Sequence, residues 1–342
     1  MPSARDNPAR RFFEARSVAV IGASRSPGKA GFHQVDNLRR HYSGAVFPVN
    51  PNADRIAGYR CYSSLDAIEA AIDLAIILRP AGDVLPVLEA CIARGVPAVL
   101  VPAAGFAEAS GEGEAVQARI VQRARESGVA VWGPNCGGFV NTANGLLASF
   151  IDLPQVRKGG IGIVAQSGIY VAGLFNQLME RPRFGVSTVA SLGNACDVGA
   201  ADVFEYLAKD PATSVIALHL EGLSDGARLL RAARSVAGRK PVVAALVGGT
   251  ESGAEASRSH TANLAVPGRV AGGLLAQAGI VPAREFVDLV DLAGACALMG
   301  TPRPARRGAA IGTSGGAGGI AADHAEGLGI QMARLAPPTP AP

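Results

Sequence analysis

The chain has 342 residues, of which 49% are hydrophobic, 18% charged and 5% aromatic, with 43 glycines and a net charge of +4. That composition describes an α/β protein with aliphatic cores and excludes a collagen-like or disordered chain. No basic run or aromatic platform supports nucleic-acid binding, and no apolar run approaches the ~18 residues of a membrane span.

The N-terminus, residues 1–11, is polar and basic, without the apolar core of a signal peptide. Cys61, Cys91, Cys136, Cys196 and Cys296 are scattered, and none forms a Cys-x-x-Cys pair. Neither a zinc site nor a disulfide framework is expected; reduced thiols in a cytoplasmic protein are.

The first half alternates strand and helix signals. Strands are predicted at 17–22, 45–50, 74–78, 98–102 and 129–133, with helical patterns at 28–41, 83–94 and 112–127. Short aliphatic strands separated by helices imply a doubly wound parallel sheet, with ligands at the carboxyl ends of its strands. A second series follows, at 161–165, 188–192, 215–220, 241–247 and near Ile280. A third start, Gly308-Ala-Ala-Ile-Gly-Thr-Ser-Gly-Gly, reads as strand, glycine turn and helix onset before a proline-rich end. The expected class is α/β with two doubly wound parallel-sheet domains, 1–150 and 151–303, and a partial third βα unit, 304–342.

Glycine-rich loops follow several strands. Gly22-Ala-Ser-Arg-Ser-Pro-Gly-Lys-Ala-Gly lets backbone approach a phosphate while the next helix offers free N–H groups. It is neither a Walker A loop nor Gly-x-Gly-x-x-Gly; its ordinary reading is a tight turn. Val49-Asn50-Pro51, Arg79-Pro80-Ala81 and Ala103-Ala-Gly-Phe106 end neighbouring strands on the same sheet edge, where they could line one groove. Gly133-Pro-Asn135-Cys136 ends the fifth strand, and Cys136 reads first as a small packing residue.

In the second half, Gln166-Ser167-Gly168 ends a strand, so Ser167 and Gly168 open the next helix as an anion site or as a plain N-cap. Glu221 ends strand 215–220 and could orient an imidazole; the competing reading is a solvated acid. His219, two residues earlier, reads as a core histidine. His260 lies in Ser259-His-Thr261, inside a polar, small-residue loop after strand 241–247. Base, metal ligand and phosphoryl carrier are all open to it. No second His or Cys has suitable spacing, so no metal is expected.

These motifs, in this order, resemble the NDP-forming acyl-CoA synthetases, the family of the succinyl-CoA synthetase α subunit and the ADP-forming acetyl-CoA synthetases. The resemblance rests on Gly-Ala-Ser-x-x-Pro-Gly-Lys-x-Gly, Val-Asn-Pro, Ala-Ala-Gly-Phe-x-Glu, Gly-Pro-Asn-Cys, Gln-Ser-Gly, Gly-Asn-x-x-Asp-Val (193–198), Leu-Glu-Gly and Ser-His-Thr. It runs from about Phe12 to Leu335 and implies a Rossmann-like CoA-binding domain followed by a flavodoxin-like ligase domain.

The resemblance implies coenzyme A near Gly22, Ser24, Ser26, Pro27, Gly28 and Lys29, then along Asn50, Pro51 and Pro80, with Asn135 and Cys136 nearby. It further implies His260 as the phosphorylated histidine, Glu221 as the acid that holds it, and Ser167 and Gly168 at the phosphate. The implied substrates are a small carboxylic acid and its acyl-CoA. ADP or ATP with Mg2+ would bind on an ATP-grasp β-type subunit, with which association is expected, or on a missing C-terminal module, the chain then being a truncated gene product. Ala262 and Asn263 stand where the family usually has Gly and a small residue after Ser-His-Thr. Two alternatives stand beside the ligase: a non-catalytic CoA-binding or regulatory protein, and an NAD(P)-dependent oxidoreductase, against which the missing dinucleotide fingerprint speaks.

Overall fold

A computed structural model describes residues 7–153, 155–168, 184–222, 225–248, 268–300 and 306–333. The chain forms two compact units, Met1–Gly300 and Thr301–Pro342.

The first unit opens with a short helix, α1 (Ala9–Phe13), and then a five-stranded parallel sheet. Its strands are β1 (Ser17–Ile21), β2 (Ala45–Val49), β5 (Leu74–Ile77), β6 (Ala98–Leu100) and β7 (Ala130–Trp132), in the order β2-β1-β5-β6-β7. A two-stranded ribbon, β3 (Arg55–Ile56) and β4 (Tyr59–Arg60), lies between β2 and β5 in the chain. The helices are α2 (Ala30–His41), α3 (Ala81–Ala93) and α4 (Gly111–Ser127), each within two residues of its predicted range. Ser110 caps α4 through its side chain and Gly128 closes it at φ +71°, the ordinary start and stop chemistry of a helix.

A seven-stranded sheet follows, in the order β14-β13-β12-β10-β11-β8-β9. Five strands are parallel: β10 (Lys158–Ala165), β11 (Val186–Ser191), β12 (Val215–Leu220), β13 (Val242–Leu246) and β14 (Val281–Ala283). The hairpin β8 (Gly138–Asn141) and β9 (Leu146–Ala148) adds an antiparallel edge against β11, which the sequence pattern did not predict. Residues 138–148, which precede the expected boundary at 150, are therefore hydrogen-bonded into the second sheet. The described helices here are α5 (Ala200–Lys209), α6 (Gly226–Val236), α7 (Gly268–Gln277) and α8 (Phe286–Met299). In the second unit β15 (Arg307–Gly308) pairs in parallel with β16 (Gln331–Met332), joined through α9 (Gly315–Gly327).

Taken in chain order, the parallel strands of both sheets follow the same 2-1-3-4-5 plan. Such a plan has one switch point, between its first and third strands, where the connections leave in opposite directions and open a crevice. In the first sheet this lies between β1 and β5; in the second, between β10 and β12.

Strand alternation divides the core into layers. Ala19, Ile21, Ala75 and Ile77 pack on the outer face of the first sheet, and Ile163, Ala217 and Val243 on that of the second. The alternate residues, Val20, Ile76, Trp132, Val164 and Leu218, belong to one cluster that the two sheets share. At its centre Trp132 meets Phe12 at 5.3 Å and Phe139 at 5.2 Å between ring centroids, and Phe13 meets Phe139 at 5.2 Å. The indole is fully buried and its N–H donates to the carbonyl of Ser191 at 2.7 Å. Trp132→Ala is expected to cost about 3–5 kcal/mol in urea unfolding, whereas Met299→Ala, at a side chain that is 72% exposed, is expected to change the midpoint little.

Candidate functional site at the two switch points

Both switch points open on one cavity of about 720 Å3. The first sheet contributes Leu78 and Arg79 after β5, Ala30 at the start of α2, and Pro102 to Ala104 after β6. From the second come Gln166, Ser167 and Gly168 after β10, Gly193 and Asn194 after β11, and Glu221 after β12. Asn135 to Gly137, between the sheets, and Phe150 and Ile151, after β9, complete the wall.

Main-chain contacts set this juxtaposition. The loop after β11 runs alongside the end of β7: Val198 N–H donates to Val131 O at 3.1 Å, Cys196 N–H to Gly133 O at 3.0 Å and Asn194 N–H to Pro134 O at 2.9 Å. Asp197 Oδ2 accepts the Val131 N–H at 2.9 Å. Gly193 makes the approach possible: at φ +60°, an added Cβ would lie 2.2 Å from Pro134 O. Only glycine combines that backbone conformation with that closeness.

A polar cluster reinforces the joint. Asn194 Nδ2 donates to Glu108 and to Gln117 Oε1, and Asn135 Nδ2 donates to Asn194 Oδ1. Glu108 Oε1 also accepts the N–H groups of Gly105 and Phe106, at 2.6 and 3.2 Å. Burial works to raise the Glu108 carboxyl, and the hydrogen bonds from Asn194 and the two amides outweigh it, holding it below its usual value. The sequence showed both motifs, Ala-Ala-Gly-Phe-x-Glu and Gly-Asn-x-x-Asp-Val, but nothing in it linked one to the other.

The glycine loop lies on the same carboxyl edge, beyond Ala30. Gly22 has φ +86° and sits so close to Leu78 O that a Cβ would fall at 2.3 Å; this glycine serves the crevice between β1 and β5. Ser24 Oγ accepts the Ser26 N–H at 3.1 Å. Ser26, Pro27, Gly28 and Lys29 are exposed. Lys29 is the N-cap of α2 and no side chain caps that helix; Phe32 N–H already donates to Lys29 O at 2.9 Å, so the N–H groups of Ala30 and Gly31 are the ones presented to a phosphate. At Gly28, with φ +86°, an added Cβ would meet nothing within 4 Å. This uncapped, glycine-preceded helix start fits the pyrophosphate of a coenzyme A. Asn50 braces the loop: its Nδ2 donates to Ala23 O at 2.7 Å and its Oδ1 accepts the Asn52 N–H. Pro51 and Pro80 are exposed at the edge, and Pro80 precedes α3, which also lacks a side-chain cap. None of these loop residues lines the cavity itself; Asn135 and Cys136 do. Cys136 is buried and its thiol is pushed up to about 12 by desolvation, so it is not a thiolate at neutral pH.

At the second switch point Ser167 and Gly168 line the cavity, half-buried, and Gly168 has helical backbone. Glu221 also lines it and is only 6% exposed, so it is not the solvated acid of the competing reading. His219 is buried on β12, and burial pushes its imidazole down to about 4. His260, with Ala262 and Asn263, lies outside the described residues.

Comparison with known proteins gives two matching domain models. Residues 16–142 match a CoA binding domain and residues 158–296 a succinyl-CoA ligase like flavodoxin domain. The α subunit of acetate–CoA ligase (ADP-forming) II from Pyrococcus furiosus is 36% identical over 95% of this chain and 70% of its own length. Acetate–CoA ligase (ADP-forming) I from Archaeoglobus fulgidus is 39% identical over 95% of this chain and 47% of its own length. The chain thus spans about half of the longer relatives it matches. Among solved structures, the dinucleotide-forming acetyl-coenzyme A synthetase 1 of Ca. Korarchaeum cryptofilum, in complex with phosphate and ADP, superposes with a TM-score of 0.90 at 31% identity, covering 97% of this chain and 71% of that one. These matches fit the ligase reading and neither of its alternatives.

The low imidazole value makes a stability prediction. His219 is held neutral by the fold, so it costs nothing above its ordinary value of 6.5. As pH falls from about 6.5 to about 4, the unfolded chain takes up a proton that the folded chain refuses, and stability falls. The loss from this group is expected to reach about 3 kcal/mol. In urea melts across that range His219→Gln should show a shallower decline than the wild type; parallel profiles would refute the assignment.

Proposed function

Because the chain belongs to the ADP-forming acyl-CoA synthetase family, in the part its α subunits represent, we propose that it is the CoA-binding and phosphohistidine-bearing portion of an acid–CoA ligase. The observation that carries this reading is the convergence of the two switch points on one cavity. One side offers the uncapped start of α2 to the phosphates of coenzyme A. The other offers Ser167, Gly168 and Glu221 to a phosphoryl group and the residue that carries it.

The reaction begins with acyl-CoA and inorganic phosphate. A phosphate oxygen attacks the thioester carbon, the C–S bond breaks, and acyl phosphate and coenzyme A result. An imidazole nitrogen of His260 then attacks phosphorus, a P–N bond forms, and the carboxylate leaves. Finally an ADP oxygen takes the phosphoryl group and restores the imidazole. Glu221 accepts a hydrogen bond from the other ring nitrogen and stabilises the cationic ring. Main-chain N–H groups at Ser167 and Gly168 hold the phosphoryl oxygens with partial charge. Partial charge suits a group that must leave again.

ADP and Mg2+ bind on an ATP-grasp module, supplied by a β-type partner subunit or by further sequence, and the chain works in that assembly in the cytoplasm. Among the described residues no helix is long and apolar enough to cross a membrane.

Incubation of the chain with acetyl-CoA, radiolabelled phosphate and Mg2+ is expected to give a label that is acid-labile and base-stable. His260→Ala should abolish it and leave coenzyme A binding intact. A chain that binds coenzyme A tightly and takes no label would refute the catalytic reading.

A further inference from the structure

Among the described residues, the side chain of Gln166 ties down Glu221 and Gly222, which follow β12. Gln166 follows β10 directly and is 4% exposed. Its Oε1 accepts the N–H groups of both Glu221 and Gly222, the latter at 3.0 Å, and its Nε2 donates to Gly222 O at 3.1 Å. Three hydrogen bonds thus tie one buried amide to two consecutive residues. Its main chain reaches both neighbouring strand ends: Gln166 N–H donates to His219 O, and Gln166 O accepts from Gly193 N–H, each at 3.1 Å. Ser167 and Gly168, next in the chain, line the same cavity as Glu221.

We infer that Gln166 is a positioning residue: it fixes the Glu221 backbone against the Ser167–Gly168 anion site, setting where the acid meets the phosphoryl carrier. This rests on the function proposed above. The geometry explains why an amide stands here. The carbonyl of a carboxamide can accept two N–H groups while its NH2 donates to a neighbouring carbonyl. No other uncharged side chain of that length does both. A buried loop end has three main-chain polar groups to satisfy, and leaving them unmade is costly. A loop so held also needs no reordering when the phosphoryl group arrives, and displacement of a reacting group by ~1 Å can cost ~100-fold in rate.

The test uses the full chain with acetyl-CoA, radiolabelled phosphate and Mg2+. Gln166→Met keeps the length and removes all three hydrogen bonds. Gln166→Glu keeps an oxygen acceptor for the two N–H groups. With coenzyme A affinity and thermal midpoint near wild type, Gln166→Met should form phosphohistidine roughly 10- to 100-fold more slowly, with Gln166→Glu between it and the wild type. Amide hydrogen exchange at Glu221 and Gly222 should accelerate in Gln166→Met; this readout stays usable if that variant is less stable, by comparison with amides elsewhere on β12. Wild-type rates in Gln166→Met, or unchanged exchange at both amides, would overturn the inference while the proposed function stands. No label on the wild type would overturn the proposed function and this inference with it.

Discussion

Everything at the cavity depends on the main-chain ladder between the end of β7 and the loop after β11. Two parallel sheets of the same strand order could pack in many ways, and most would leave their switch points far apart. Hydrogen bonds from Val198, Cys196 and Asn194 to the carbonyls of Val131, Gly133 and Pro134 fix one of them. Side chains alone would allow the sheets to slide, because apolar contact has little directional preference. The ladder supplies the direction, and the shared cluster around Trp132 supplies the burial. Trp132 serves both, since its ring fills the cluster and its N–H meets Ser191 O on β11.

Among the described residues little formal charge lines the resulting cavity. Among the described lining residues the charged residue types are Arg79 and Glu221, and Arg79 is already paired with Asp83 at 2.7 Å. Under the proposed function, anions would be met chiefly by main-chain N–H groups at helix starts. That division follows from the chemistry of transfer. A fixed cluster of cations would hold a phosphoryl group tightly in every state, and binding that is equally strong before and during reaction does not accelerate it. His219, on β12 two residues before Glu221, is kept neutral by its burial.

The sequence made much of this legible, and the boundary is a physical one. Strands β1, β5, β12 and β13 announce themselves because both faces are buried and nearly every residue is apolar or small. The carboxyl-edge loops follow from that, since glycine and proline mark where such strands stop. The hairpin β8–β9 was not legible: Gly137, Gly138 and Gly145 and the polar run Asn141 to Asn144 interrupt its short apolar stretches, and it belongs to the sheet that comes later in the chain. The polar links were equally hidden. Glu108 and Asn194 are 86 positions apart, and Gln166 and Glu221 are 55. Each motif looks like ordinary loop chemistry until the fold brings its partner into reach.

That pattern bears on which residues can be varied. Ala103, Ala104, Gly137, Gly168 and Gly193 bring the main chain close to the cavity. A Cβ at Gly193 would strike Pro134 O, and one at Gly137 would press on Ser191 Oγ at 3.3 Å. These positions cannot be used to reshape the cavity without disturbing the joint. Phe150 and Ile151 differ: they are half-buried, reach the cavity from the segment after β9, and stand outside the ladder. The fold therefore separates two tasks. Backbone geometry at the joint keeps the two switch points in register, while Phe150 and Ile151 stand where a change of side chain alters the shape of the cavity.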